Sequence, residues 1–305
     1  MKAAVLQDTA TLAVEDVTAP TPEPGELVLA VRDCGICGSD LHAVKSMPPG
    51  TIFGHEFSGE VAAVGEGVSG WKIGDRAVSL PFFSCGGCGR CQAGDGMFCM
   101  QIRGIGLGPV PGAYAELVRV QPANSFPVPA GVGFRDAALV EPLAVGLHGV
   151  RRASLRKGDT CVILGAGPIG IATLVWAREL GAETVVSDFS PGRRAMAERL
   201  GATVVVDPKN DETGFVAQRL SADGPRVVFE CVGAAGLIQS AMSVAPLRAQ
   251  IVVLGVCMGT DEIFPITGIL KELEIDFVLG YTRSEFKETL CALASGRIDP
   301  RAMIT

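Results

Sequence analysis

Metal-binding and proton-carrying side chains crowd into one stretch near the N-terminus, residues 34–56, CGICGSDLHAVKSMPPGTIFGHE. Cys37 stands eighteen residues before the pair His55 and Glu56, and Ser39, Asp40 and His42 follow Cys37 within five positions. A catalytic zinc takes three protein ligands of nitrogen, sulfur or oxygen type and keeps a fourth position open for water or substrate. Cys37, His55 and a nearby glutamate supply such a set. The plain alternative is a buried thiol at a strand end and a hydrogen-bonded loop histidine, and those two residues alone do not decide between the readings.

A second cluster is denser: Cys85, Cys88, Cys91 and Cys99 fall within fifteen residues. Four thiolates can surround one zinc tetrahedrally at ~2.3 Å each with no open position, which makes such a site structural. It would tie down a lobe with too few apolar residues to fold alone. A redox or accidental cluster is the competing reading. The scattered Cys161, Cys231, Cys257 and Cys291, and Cys34 with them, read as small buried hydrophobes. Glu141 interrupts the apolar run Ala137 to Leu147. A buried carboxylate there needs a cation, a metal or strong donors; the bland reading is an exposed glutamate at a helix start. His148 reads as a packed helix histidine.

The elements that must position these residues differ along the chain. Residues 1 to about 140 are punctuated by glycine and proline, with strands expected at Leu27–Val31 and Glu60–Val64 and turns at Gly65–Gly67 and Gly74–Arg76. This predicts a β-rich, barrel-like domain carrying both cysteine clusters. From Thr160 strands and helices alternate. Strands are expected at Cys161–Leu164, Thr184–Asp188, Thr203–Val206, Arg226–Glu230, Gln250–Leu254 and near Phe277–Leu279. Helices are expected at about Arg193–Leu200, Glu212–Leu220 and Leu237–Val244, and the whole predicts a doubly wound parallel sheet. Between the first strand and its helix lies Gly165, Ala166, Gly167, Pro168, Ile169, Gly170, and Asp188 ends the second strand eighteen residues later. A bare GxGxxG is weak, but in this context it is a dinucleotide fingerprint: the glycines admit the pyrophosphate and the helix N-terminus favours its charge. Asp188 would accept from the adenosine ribose hydroxyls and repel a 2′-phosphate, favouring NAD over NADP. Arg193 and Arg194 could tolerate a phosphate, pack on the adenine or face solvent.

Composition sets the outer bounds. A chain of 305 residues, 48% hydrophobic and 19% charged, has length for two domains and material for a sizeable core. A net charge of −7 provides no basic stripe, which argues against nucleic acid as a partner. The N-terminus lacks an apolar run of signal-peptide length. Thr160–Ala177 approaches membrane-span length, but its glycines and proline break it into strand, turn and buried helix. No membrane partner and a cytoplasmic location are expected.

In order and together, the CGxCGSDxH segment, the GHE triplet, the four-cysteine lobe, the EPL segment and the GAGPIG turn resemble the zinc-containing medium-chain dehydrogenase/reductase family. The resemblance runs from Met1 to Thr305 and is nearest the polyol branch of sorbitol, butanediol and threonine dehydrogenases. It implies an α/β protein: a GroES-like catalytic domain over 1–148 with a structural zinc lobe at 85–99, and a Rossmann domain over 149–283. Residues 284–305 would start the return to the catalytic domain, which looks truncated after Thr305. It implies one catalytic zinc at Cys37, His55 and a carboxylate, Glu56 or Glu141, and one structural zinc at Cys85, Cys88, Cys91 and Cys99. Many relatives place a cysteine near Glu141, whereas no cysteine lies between Cys99 and Cys161. Ser39 and His42 match the proton relay, Asp40 a partner orienting the metal-bound histidine, and Asp188 and Arg193 the ribose contacts. The loop from Cys37 to His55 is a few residues shorter than the family's.

The implied activity is reversible oxidation of a polyol or secondary alcohol to a carbonyl with NAD, in a homodimer or homotetramer. The rival readings are a zinc-independent reductase on the same scaffold and a member that has lost its chemistry. Phe53, Phe82 and Phe83 read as core packing or as apolar wall beside the substrate.

Overall fold

The computed structural model describes residues 1–8 and 11–304; Thr9, Ala10 and Thr305, which fall in the expected first and last segments, lie outside the described residues. The chain divides into two compact units, Met1–Glu141 with Tyr281–Ser295, and Pro142–Gly280 with Gly296–Thr305.

The first unit opens with a hairpin of β1 (Lys2–Leu6) and β2 (Leu12–Asp16). Then come β3 (Leu27–Cys34), α1 (Gly38–Ala43), β4 (Phe57–Val64) and β5 (Arg76–Ser79). The cysteine lobe follows, with β6 (Phe82–Phe83), α2 (Gly89–Gln92) and β7 (Arg103–Gly104). Next are β8 (Leu117–Val120), β9 (Ser125–Pro127) and α3 (Phe134–Ala138). The main sheet is antiparallel in the order β8-β3-β4-β5-β9. Period-two alternation aims Leu27 and Leu29 of β3 at Val61 of β4 and at Val118 and Val120 of β8, around Phe57. This is the apolar face that makes the short, glycine-rich segments fold.

One pairing positions the chemistry. β3 and β4 run antiparallel with Cys34 opposite Phe57. The residues just past the end of β3 therefore stand beside those just before β4, and Cys37 meets His55 and Glu56 despite the loop between them. Two register shifts, between Val28 and Leu29 and between Val31 and Asp33, interrupt the ladder on the way. Such bulges bend a strand and re-aim its end.

In the second unit, α4 (Val140–Arg152, whose first two residues count with the first unit) leads into β10 (Thr160–Leu164), α5 (Pro168–Leu180) and β11 (Glu183–Ser187). Then follow α6 (Pro191–Arg199), β12 (Val204–Val206), α7 (Thr213–Leu220) and β13 (Val227–Glu230). The unit's last elements are α8 (Leu237–Val244), β14 (Gln250–Val253), α9 (Pro265–Lys271) and β15 (Glu274–Phe277). All six strands pair in parallel, in the order β12-β11-β10-β13-β14-β15. The order reverses at β10, whose five residues are all buried, and ligands of doubly wound sheets bind at that switch point. The chain then enters α10 (Arg283–Ala294), which belongs to the first unit. No helix among the described residues is long and apolar enough to cross a membrane.

The strands and helices expected from Thr160 onward are present, with one difference in placement. The last strand lies at Glu274–Phe277 rather than near Phe277–Leu279. Its alternation of charged and apolar residues suits the edge of a sheet, and register with β14 starts at Gln250 opposite Glu274. Cys291 is exposed and Cys34 and Cys257 are half-buried, while Cys161 and Cys231 are buried as expected. Along α10 the inward face is Glu285, Phe286, Thr289 and Leu290, and Cys291 falls with Lys287 on the other side.

Ile163 is fully buried at the centre of the parallel sheet and Leu29 fully buried in the antiparallel one. Ile163→Ala or Leu29→Ala should each cost ~2–5 kcal/mol through the cavity left behind, read as a lowered midpoint in denaturant unfolding.

Candidate active site

Cys37 is the N-cap of α1, and its backbone N–H donates to Asp40 Oδ2 at 3.0 Å. That bond turns the chain back so that the Cys37 thiol and the first turn of α1 face the strand end carrying His55 and Glu56. Gly54 precedes them with φ +98, and a Cβ there would stand 2.7 Å from both the ring and the backbone N of Tyr114. Only glycine lets the chain pass this point. Cys37 Sγ, a His55 ring nitrogen and a Glu56 carboxylate oxygen lie within 4.8 Å of one another.

Glu56 is 5% exposed, and its Oε1 has no hydrogen-bond partner. Burial, reinforced by the Glu141 carboxylate, pushes its carboxyl up to about 7. Burial works against a charged His55, yet the Asp40 carboxylate and the Cys37 side chain at the ring, with Glu141 further out, push it up to about 11. A buried carboxylate oxygen with no donor, beside a thiol and an imidazole, is the donor set a zinc ion satisfies.

Asp40 is 2% exposed, with Oδ1 3.2 Å from His55 Nδ1, an ionic contact rather than an aligned hydrogen bond. Its Oδ2 accepts from Tyr114 Oη at 2.8 Å. Burial alone would raise the Asp40 pKa; His55, Tyr114 and the Cys37 N–H together hold it below the ordinary carboxylate range. With Nδ1 engaged by Asp40, Nε2 is the nitrogen left to face a metal. Ser39 Oγ lies 3.5 Å from His55 Nε2. His42 occupies the last turn of α1 and is exposed. Glu141 is buried but outside the ligand trio; its Oε1 accepts from Tyr281 Oη at 2.9 Å, and burial raises its pKa against the pull of His55 and Tyr281. Phe53, Phe82 and Phe83 are buried in the core.

The pattern of cysteines, histidines and acids drew attention to every one of these residues except Tyr114 and Tyr281. The chain has only two tyrosines, and each donates to a carboxylate of this centre. That scarcity was the available signal, but a phenol 74 or 140 residues from its acceptor has no local spacing to reveal it.

The four lobe cysteines also come together, their sulfurs within 4.8 Å of one another. Cys85 and Cys91 sulfurs are 3.9 Å apart and those of Cys88 and Cys91 3.5 Å, close to the ~3.8 Å edge of a tetrahedron with 2.3 Å metal–sulfur bonds. Backbone N–H groups of Cys88 and Gly87 draw the Cys85 thiol down to about 6, while desolvation and the adjoining thiols push Cys91 up to about 11.

In the second unit Gly167 caps α5 with Pro168 at its first position. A Cβ on Gly170 would collide with Gly165 O, whereas one on Gly167 would meet nothing. The first closes the turn tightly; the second leaves backbone open in front of the helix N-terminus, the cradle a pyrophosphate fills. Asp188 Oδ2 accepts from Ala166 N at 2.9 Å and Oδ1 from Ser190 N at 2.7 Å. The carboxylate is therefore fixed at the end of β11, 9% exposed, with Arg193 Nη1 3.7 Å from it. Arg194 instead donates to the Asp188 carbonyl at 2.7 Å and pairs with Asp207, so it braces the loop.

An antiparallel unit with two metal-ligand sets and a parallel unit with a nucleotide turn define a zinc-dependent dehydrogenase. Residues 23–130 match the model of the alcohol dehydrogenase GroES-like domain, and residues 168–295 that of the zinc-binding dehydrogenases. The chain is 37% identical over 290 residues to 2-dehydro-3-deoxy-L-galactonate 5-dehydrogenase of Pseudoalteromonas atlantica, covering 93% of this chain and 84% of that one. It is 31% identical to sorbitol dehydrogenase of Bacillus subtilis, covering 100% and 89%. A zinc-binding dehydrogenase from Sinorhizobium meliloti, crystallised with NADP, superposes with a TM-score of 0.87 at 33% identity over 98% and 89% of the chains. The chain belongs to the zinc-containing medium-chain alcohol dehydrogenase family, with a structural four-cysteine zinc site, a catalytic Cys/His/Glu site and NAD(P) binding.

Zinc binding requires the thiolate forms, so lowering the pH below the raised Cys91 value makes protons compete with the metal. Zinc held by the lobe should pass to a chelator faster as pH falls from 8 to 5.5. Cys91→Ser should lower zinc content by about one equivalent per chain and lower the melting temperature, read by metal analysis and thermal unfolding.

Proposed function

We propose that the chain reversibly oxidises a secondary alcohol, of the polyol or sugar-acid kind, to its ketone with NAD. The observation that carries this reading is the buried Cys37, His55, Glu56 trio with its unpartnered Glu56 oxygen. Three protein donors leave the fourth zinc position to substrate. The relatives named for a deoxy-sugar acid and for sorbitol both act on polyhydroxylated carbon chains by their names, which supports that substrate class. A zinc-independent reductase would need no such trio.

When bound, zinc supplies the Lewis acidity that lowers the proton affinity of an alcohol oxygen, and NAD supplies the hydride acceptor. The protein's own groups do the rest. Cys37, His55 and Glu56 hold the metal, and Asp40 fixes which His55 nitrogen faces it. Ser39, beside His55 Nε2, accepts the alcohol proton as its own hydroxyl proton is released toward His42. The two lie three residues apart on α1, hence on one face, and His42 reaches solvent. Gly165, Gly167, Pro168, Ile169 and Gly170 cradle the pyrophosphate. Asp188 and Arg193 take the adenosine ribose, and the fixed Asp188 charge opposes a 2′-phosphate, which favours NAD over NADP. The family likeness supports assembly as a homodimer or homotetramer.

Cys37→Ser or His55→Ala should abolish turnover across a panel of polyols, secondary alcohols and threonine while NAD binding, followed by cofactor fluorescence, is kept. Full activity in a metal-free Cys37 variant would overturn the zinc role. Asp188→Asn should weaken NAD by about 10–100-fold, the worth of charge-assisted ribose hydrogen bonds, and narrow the preference over NADP; an unchanged cofactor ratio would remove Asp188 from specificity.

A further inference from the structure

Two glutamates compete for one role at the metal centre. Glu56 sits inside the ligand trio, whereas Glu141 is buried next to it but not among the three. What separates them is a hydrogen bond. Tyr281 Oη donates to Glu141 Oε1 at 2.9 Å, between residues 140 apart in sequence. Tyr281 is itself 3% exposed and packed on Phe286, with ring centroids 5.6 Å apart, and Phe286 stacks on Phe126 at 5.7 Å. The phenol is therefore held by the first turn of α10 and by strand β9, and cannot follow Glu141 if the carboxylate moves. Glu56 Oε1, by contrast, has no donor at all. Glu141 is tied to a phenol from a distant segment, whereas Glu56 has only a fellow ligand, Cys37, beside it and one oxygen left for a cation.

We infer that Tyr281 is a positioning residue that keeps Glu141 off the metal, so that Glu56 alone completes the set and the fourth position stays open. This rests on the zinc reading of Cys37, His55 and Glu56. Without the phenol, Glu141 has a buried charge and no donor, and the nearest relief is the metal itself. Zinc would then carry four protein ligands, the closed arrangement of a structural site. It would be held more tightly and would be less open to substrate.

The test compares wild type with Tyr281→Phe, which removes only the hydroxyl and keeps the ring packing, and with Tyr281→Phe/Glu141→Gln. Metal affinity is measured by competition with a chromophoric chelator, and ligand number by the visible absorption of the cobalt(II)-substituted protein. Tyr281→Phe should change zinc affinity at this site upward by ~10-fold or more, a change of the size such partners exert. It should also alter the cobalt spectrum and lower kcat. The double variant should return affinity and spectrum to the wild-type values. Unchanged affinity and spectrum in Tyr281→Phe, or a change that Glu141→Gln does not reverse, would overturn the inference; a wild type that binds no cobalt at Cys37 would instead overturn the zinc reading beneath it. Retained melting temperature in both variants separates the effect from misfolding.

Discussion

Uncompensated negative charge, buried beside a thiol and an imidazole, is the constraint around which this protein is built. Asp40, Glu56 and Glu141 are all withdrawn from water within the same unit, an arrangement that a folded chain tolerates only with positive charge or strong donors at hand. The donors are distributed unequally. Tyr114 and the Cys37 N–H serve Asp40, Tyr281 serves Glu141, and among the described residues Glu56 Oε1 has no donor. The centre is therefore organised for a cation at one defined place.

Elementary sheet geometry delivers that place. Two antiparallel strands put the end of one beside the start of the other, so the β3–β4 pair turns a separation in sequence into adjacency in space. The second unit reuses the logic with parallel strands: the order reversal at β10 opens the helix N-terminus of α5, and the Asp188 carboxylate follows the end of β11. Both sites thus lie at strand ends, where backbone leaves the ladder and side chains can be aimed without breaking sheet hydrogen bonds.

Tyrosine usage links fold and chemistry. Tyr281 comes from the segment that rejoins the first unit after the parallel sheet, and Tyr114 from the chain between the cysteine lobe and β8. Each phenol has an apolar ring to bury and one hydroxyl to donate, which suits a site needing rigid donors in an otherwise apolar shell. The cysteine lobe makes the opposite use of its surroundings: the exposed Cys85 and the buried Cys99 sulfurs accept from backbone N–H groups, and the metal supplies the cohesion that few apolar contacts provide.

The sequence by itself determined the residues that chemistry demands at close spacing. The four lobe cysteines, the glycine turn with its trailing aspartate, and the strand and helix alternation from Thr160 are local patterns, so short windows carry them. It also marked Cys37, His55 and Glu56 as ligand types, and Glu141 as a carboxylate needing a partner. Asp40 as the partner of His55 was already implied by the family resemblance; only the tertiary structure decided which glutamate joins the trio and that the two tyrosines serve the carboxylates. It also placed Cys291 on the outer face of α10 and set the edge strand at Glu274–Phe277. These depend on strand register and on contacts between residues 74 to 140 positions apart. No local period encodes such distances, because they are set by how whole elements pack.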